Sequence, residues 1–112
     1  MSKYTGMEIA IIGMAGRFPG ANTVEAFWDN LKGGVESIQS LSDEELLAEG
    51  ESKSLLALPN YVKVNSFIDD KAYFDSEFFG YRPAEAQLMN PQIRLFHVLC
   101  WNALEDGGYG VR

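Results

Sequence analysis

The sequence predicts an α/β fold that is mostly helical and has a small sheet. A short apolar run, EIAIIGM at residues 8–14, has no polar alternation and is typical of a strand buried on both faces. Later segments carry helix caps, apolar residues at helical spacing and glycine stops. The chain has 112 residues, 46% of them hydrophobic, which is enough for one domain with one core.

The first predicted helix begins at a cap formed by Asn22 or Thr23 and ends near Lys32. Asn22 and Glu25 have the spacing of a capping box, and a Gly-Gly pair after Lys32 supplies the stop. One apolar face is predicted because large side chains recur at helical spacing, at Val24, Phe27, Trp28 and Leu31.

The middle of the chain carries weaker signals. Ser42 and Glu45 form a second predicted capping box and begin a short helix that ends near the next glycine. Residues 51–60 are predicted to be a loop, and residues 61–64 a short strand. From Tyr73 onward the sequence favours helix.

Two helices are predicted near the C-terminus. Pro83 begins a short helix that runs through Leu88, and Asn90 caps a longer one that starts at Pro91 and ends before Gly107. Such a helix is normally buried on several sides, so we expect it to pack against a partner surface. Its apolar residues cover almost the whole circumference: Ile93, Leu95, Phe96, Val98, Leu99, Cys100, Trp101, Ala103 and Leu104.

Composition excludes several classes of function. A net charge of −7 with scattered basic residues argues against a nucleic-acid partner. No apolar run approaches the roughly 20 residues of a membrane span, and no secretory signal is recognisable, so a cytoplasmic protein is predicted. One cysteine, Cys100, and one histidine, His97, cannot form an internal disulfide or the common zinc sites.

Three segments or residues could in principle bind a ligand or catalyse a reaction, but the sequence favours a structural role for each. The Gly13-Met-Ala-Gly16 segment follows a strand pattern, but its spacing is not that of a nucleotide-binding loop, so a structural turn is expected. Cys100 lies on an apolar stripe and is predicted to be a small buried hydrophobe. His97 is expected to stack on Trp101 or to make a buried hydrogen bond, since no nucleophile is identifiable for it.

The acidic residues are predicted to serve structure. Glu105 and Asp106 lie where the helix macrodipole disfavours them, so we expect specific partners such as Arg94, Arg82 or a group outside this segment. No catalytic, cofactor-binding or metal-binding residue is assigned. A further cluster fits no calcium loop and is interpreted as caps or a solvated face: Asp69, Asp70, Asp75 and Glu77.

Five groups of residues stand in one order between residues 8 and 109. They are IAIIGMAGRFPG at 9–20, Phe27-Trp28 with Leu31 and Gly33, Phe74-Asp75 with Phe78-Phe79-Gly80, Pro83 with Glu85-Ala86, and MNPQIRL at 89–95 through WNALED at 101–106 with Gly108-Tyr109. As an ordered set, they resemble the start of the β-ketoacyl synthase domain of bacterial modular polyketide synthases. The resemblance implies that residues 1–112 are the N-terminal segment of a ketosynthase domain.

The resemblance also implies a fold and an activity for the complete domain. Such domains have a layered thiolase-like fold, usually as homodimers, in which residues 9–13 would be a central strand. They perform decarboxylative Claisen condensation of acyl and malonyl groups carried on the phosphopantetheine arm of an acyl carrier protein. No cofactor is expected to bind this segment directly.

The catalytic groups of that family are expected to lie elsewhere. Its cysteine stands in a Thr-Ala-Cys-Ser-Ser context and is assisted by two histidines, and neither Cys100 nor His97 matches those motifs. The segment is therefore predicted to be inactive alone, with the rest of the domain as its partner. One alternative is a non-catalytic docking or oligomerisation module, and another is an independent small enzyme.

Overall fold

A computed structural model describes residues 3–110 of the chain. Within that range the fold divides into two compact units, one made of residues 3–17 and 70–110 and the other of residues 18–69. No helix in the described range is both long and apolar enough to cross a membrane.

The unit of residues 18–69 begins with helix α1, Val24–Lys32. The Thr23 side chain caps it by accepting a hydrogen bond from the Ala26 N–H at 3.1 Å, and Gly33 ends it. The predicted helix is therefore confirmed, and Thr23 rather than Asn22 is its cap. Phe18 precedes the helix and stacks on Phe27, with ring centroids 4.1 Å apart.

Helix α2, Asp43–Ala48, is closed by the predicted capping box. The Ser42 hydroxyl accepts from the Glu45 N–H at 3.2 Å, and the Glu45 carboxylate accepts from the Ser42 N–H at 2.8 Å. Two backbone donors that the helix leaves unpaired are thereby satisfied. Leu46 on this helix is buried.

Replacing Ser42 with alanine is expected to lower the free energy of unfolding by about 1 kcal/mol, because one of the two capping bonds is lost. Urea denaturation followed by circular dichroism measures this change. Ser40→Ala is the matched control, since within residues 3–110 its hydroxyl makes no hydrogen bond. Equal stability of the two variants would contradict the capping role.

The stretch predicted as a loop contains a helical turn, α3, Lys53–Leu56. Ser52 caps it by accepting from the Leu55 N–H at 3.2 Å, and Leu56 is buried. The loop prediction was wrong here because a single turn is too short to show helical periodicity. A serine cap followed by two leucines was the available signal.

A two-stranded antiparallel sheet joins β1, Gln39–Ser40, to β2, Val64–Asn65. Gln39 pairs with Asn65 and Ser40 with Val64, and the Leu41 N–H donates to the Lys63 carbonyl at 2.8 Å. The predicted strand at 61–64 thus lies slightly later in the chain, and β1 was not predicted. The expected small sheet is present.

The second unit contains helix α4, Pro83–Leu88, and helix α5, Pro91–Asp106. The Asn90 side chain caps α5 by accepting from the Gln92 N–H at 2.8 Å, and Gly107 ends the helix. Both helices have the predicted bounds. Pro83 and Pro91 each occupy a first helical position, where a missing N–H costs nothing.

The segment before α4 is a series of turns, so the predicted helical character from Tyr73 was wrong. The Asp75 carboxylate accepts from the Phe78 N–H at 3.1 Å and closes one turn locally. Gly80 then has a φ of 78°, a left-handed conformation that does not continue a helix.

The strand predicted at residues 8–14 was also wrong for this structure. Ile9 and Ile11 are 93% and 83% exposed, and no described strand pairs with the segment. A strand requires backbone donors and acceptors on a neighbouring strand, and local sequence does not supply them. The end of the segment lies against the last turn of α5, as described below.

Helix α5 leaves much of its apolar circumference uncovered. None of its residues is buried, and Phe96, Ile93 and Leu104 are 66%, 53% and 45% exposed. The described residues that are buried and hydrophobic are few: Ala21, Leu46, Leu56 and Ala86. The expectation that α5 needs a covering surface stays a prediction, and its exposed apolar area is consistent with it.

Candidate functional site

His97 lies in an aromatic cluster beside the first half of α5. Its Nε2 atom is 3.1 Å from the Tyr81 hydroxyl, in a part-buried hydrogen bond. Phe74 stacks on Phe79 at 5.2 Å, and the His97 ring centroid lies 5.6 Å from Phe79 and 5.5 Å from Tyr81. Of the two expected roles, the hydrogen bond is therefore present, with Tyr81 as the partner.

Trp101 packs on a different ring. Its indole meets Phe78 edge to face at 4.7 Å, and its Nε1–H donates to the Glu105 carboxylate at 2.7 Å. An indole buried against another ring usually needs a partner for its N–H, and Glu105 provides it from the next helical turn.

A groove of 510 Å³ runs along this part of α5. Cys100 lines it and is exposed, so the prediction of a buried cysteine was wrong. Burial of a helical side chain depends on what covers its face, and the described residues do not cover this one. The lining is otherwise mainly apolar: Phe78, Phe79, His97, Trp101 and Leu104.

The groove holds a thiol and an imidazole, yet their arrangement does not form a nucleophile with its base. His97 Nε2 is occupied by Tyr81, and within residues 3–110 no hydrogen bond joins His97 to Cys100. General-base activation requires such a contact, directly or through one water. The site therefore offers an apolar surface rather than a nucleophile paired with its base.

The glycine segment after the apolar run packs against the C-terminal end of α5. A Cβ atom at Gly13 would lie 2.5 Å from the Ala103 carbonyl oxygen and 2.8 Å from the Gly107 nitrogen. The Met14 N–H donates to the Asp106 carboxylate at 2.9 Å. Because this N–H is taken by Asp106, the segment serves packing against α5 rather than an open phosphate cradle. The structural role expected of the segment is thus supported, but the predicted turn was wrong, since residues 13–16 have no turn in their backbone.

The two carboxylates at the end of α5 have specific partners, as predicted, but not the arginines that were named. Glu105 accepts from Trp101, and Asp106 accepts from the Met14 backbone. Among the other acidic residues, Asp75 caps a turn, which agrees with the structural interpretation of that cluster.

The carboxylate of Glu8 folds back on the residues before it. Thr5 donates its backbone N–H at 2.6 Å and its hydroxyl at 2.9 Å, and the Gly6 N–H donates at 2.8 Å. These donors, the Thr5 backbone N–H foremost, lower the pKa of Glu8 from 4.5 to about 2.

The side-chain carboxyl signal of Glu8 is therefore expected to titrate near pH 2 in an NMR titration of the folded chain. Because the folded pKa is lowered, any stabilisation from these bonds is complete above the ordinary pKa and is lost as pH falls toward 2. Thr5→Val removes the hydroxyl donor and should raise the pKa. An unchanged titration in that variant would contradict the assignment.

Comparison with known proteins identifies the family. Residues 7–112 match the family model described as "Beta-ketoacyl synthase, N-terminal domain". The chain belongs to the β-ketoacyl synthase family. Its described fold superimposes on ketosynthase twelve of the bacillaene polyketide synthase of Bacillus amyloliquefaciens with a TM-score of 0.75. The two sequences are 42% identical, and the match covers 86% of this chain and 17% of that one. The fold is thus part of a thiolase-like ketosynthase domain.

Curated relatives of this ketosynthase segment include polyketide synthases. It is 52% identical over 100 residues to a phenolphthiocerol/phthiocerol polyketide synthase polypeptide of Mycobacterium tuberculosis, covering 89% of this chain and 7% of that protein. It is 43% identical over 106 residues to polyketide synthase PksN of Bacillus subtilis, covering 95% of this chain and 2% of that protein. The segment therefore spans a small fraction of the proteins that it matches.

Two of the contacts that sequence reasoning missed differ in whether a sequence signal existed for them. Trp101 and Glu105 are four residues apart on one helix, so their spacing alone could have indicated the bond. Tyr81 and His97 come from separate elements, and no spacing rule predicts their contact.

Proposed function

We propose that this chain is the N-terminal structural part of a polyketide synthase ketosynthase. The complete domain would join an acyl group to a malonyl unit by decarboxylative Claisen condensation. Both thioesters would arrive on the phosphopantetheine arm of an acyl carrier protein. The observation that supports the proposal most strongly is the match of residues 7–112 to the family's N-terminal domain.

In this proposal the segment contributes scaffold and no reacting group. Cys100 lies in the middle of α5 and has no hydrogen-bonded base among residues 3–110. Its neighbours in sequence are leucine and tryptophan rather than the hydroxyl residues of the family's cysteine motif. His97 holds Tyr81. The thiolate that accepts the acyl chain, and the two histidines that assist it, would come from the rest of the domain.

Intact-mass spectrometry after incubation with an acyl-loaded carrier protein tests this division of roles. We expect no acyl adduct on the chain, and the same result for Cys100→Ala. A complete bacterial ketosynthase serves as the positive control. A thioester adduct on wild type that is absent from Cys100→Ala would overturn the proposal and would favour an independent small enzyme.

A second candidate function is a non-catalytic docking or oligomerisation module. The exposed side chains of Phe96 and Ile93 on α5 favour it, because they offer an apolar surface to a partner. Sedimentation velocity of the chain, alone and with a carrier protein, discriminates between the two candidates. A stable complex without any acyl transfer would favour the docking module.

A further inference from the structure

Helix α5 exposes one narrow apolar stripe made of Ile93, Phe96, Cys100 and Leu104. Their spacing along the helix places these side chains within roughly 80° of its circumference, in a row about 16 Å long. Each of them is exposed, so residues 3–110 leave the stripe largely uncovered. A single exposed apolar residue is ordinary, whereas a row along one helix face indicates a surface that packs against another one.

Other sides of α5 differ from the stripe. His97 and Trp101 are half-buried, because they lie against aromatic side chains of the turns before α4. Asn102, which lies nearly opposite the stripe, is polar and exposed. The stripe is therefore separate both from the side that the chain's own rings cover and from the side that carries a polar group.

The groove beside the stripe offers room for side chains of a partner. Cys100 and Leu104 belong to the stripe and also line the groove of 510 Å³ described above, together with Phe78 and Phe79. Its described lining contains no carboxylate, lysine or arginine. Because an unpaired charge is costly to bury, this surface suits apolar side chains rather than ionic ones.

We propose that the stripe is the contact surface for apolar side chains carried by the later part of the ketosynthase domain. This inference rests on the proposed function. The match covers only 17% of each of two solved bacillaene ketosynthase chains, which are 42% and 41% identical to this one, so most of such a domain lies outside the matched residues and can supply the cover. A second copy is less suited, because each chain has a net charge of −7 and two copies repel each other.

Cys100 reports directly on the stripe, because it is the only cysteine in the chain. N-ethylmaleimide is added to the 112-residue chain and, separately, to the unsplit ketosynthase, and labelling of the peptide that contains Cys100 is followed by mass spectrometry. We expect labelling in the unsplit domain to be at least roughly tenfold slower than in the chain alone, where the rate should be close to that in urea. Equal rates in the chain and in the unsplit domain would overturn the inference.

A dilution series identifies the other possible covers. Labelling that becomes faster on dilution, in the chain or in the unsplit domain, would assign the stripe to a second copy and overturn the inference. Slow labelling of the chain alone at every concentration would overturn it as well, because the chain itself would then cover the stripe.

A cysteine nearly opposite the stripe is the matched control. Asn102→Cys in the Cys100→Ala background carries its thiol on the same helix but outside the stripe. Its labelling rates in the chain and in the unsplit domain should agree within about threefold. Equal protection of the two positions would overturn the inference, because the whole helix rather than the stripe would then be covered.

Phe96→Ser tests whether the contact stabilises the domain. In the unsplit ketosynthase it should lower the melting temperature by several degrees more than Asn102→Ser does, because it removes a ring that the later part of the domain covers. A solvent-exposed ring would contribute little, so equal melting temperatures of the two variants would overturn the inference.

Condensation by the unsplit domain separates this inference from the proposed function. A domain that forms the β-ketoacyl product while Cys100 is labelled as fast as in the chain alone would overturn the inference and leave the proposed function intact. Protection of Cys100 in a domain that forms no product would support the contact and count against the proposed function.

Discussion

Replacing Gly13 with alanine is expected to lower the free energy of unfolding by about 2–3 kcal/mol. The added Cβ would lie 2.5 Å from the Ala103 carbonyl oxygen, well inside contact distance, and close to the Gly107 nitrogen as well. Both are backbone atoms and cannot rotate away. The substitution must therefore move the segment off α5, which also strains the bond from Met14 to Asp106.

Gly110→Ala is the control for that substitution. No atom of the described residues lies within 4 Å of a Cβ atom at Gly110, so the effect of this substitution on the free energy of unfolding should stay within about 0.5 kcal/mol. If Gly13→Ala unfolds at the same urea concentration as wild type, the close packing of the glycine segment on α5 is not part of the folded protein in solution.

Replacing Phe74 with alanine is expected to cost about 2–3 kcal/mol, somewhat less than for a fully buried phenylalanine because Phe74 is half-buried. Its ring stacks on Phe79 at 5.2 Å and lies 6.2 Å from Tyr81 and 6.3 Å from His97. Removing the ring therefore removes packing contacts with Phe79, Tyr81 and His97 at once. These contacts hold α5 against the turns that precede α4.

Tyr73→Ala is the control for the aromatic cluster, since the Tyr73 side chain is 78% exposed. It should change the free energy of unfolding by no more than about 0.5 kcal/mol. The ring-proton signals of His97 should also shift in Phe74→Ala and stay in place in Tyr73→Ala. Equal destabilisation by the two substitutions would show that the cluster does not contribute to stability.

Helix ends were predictable because the chemistry that sets them is local. Asn90, Pro91 and Gly107 delimit α5 within the sequence itself, and Ser42 with Glu45 delimits the start of α2. These signals depend on side chains a few residues apart, so they do not require knowledge of the rest of the fold.

Contacts between distant residues were not predictable. The apolar run at residues 8–14 has the composition of a buried strand, yet strand formation depends on a neighbour that the described chain does not contain. The burial of Cys100 failed as a prediction for the same reason, because it depends on what covers α5. The carboxylates of Glu105 and Asp106 needed partners, but their identity was set by packing.

The family was recognisable from the order of its motifs, although no single motif was decisive. The candidate site was not recognisable from sequence, because the side chains that would react are absent from the motifs that this segment carries. His97 and Cys100 each suggest catalysis by residue type, and the hydrogen bond of His97 to Tyr81 gives the imidazole a structural role instead.

Reconstitution of condensation tests the central claim most directly. The chain is mixed with the remaining polypeptide of its ketosynthase, an acyl-loaded carrier protein and a malonyl-loaded carrier protein, and the β-ketoacyl product is measured by mass spectrometry. We expect product from the mixture and none from either polypeptide alone. Product formed by this chain alone would contradict the account, as would a mixture that binds but makes none while the unsplit enzyme is active.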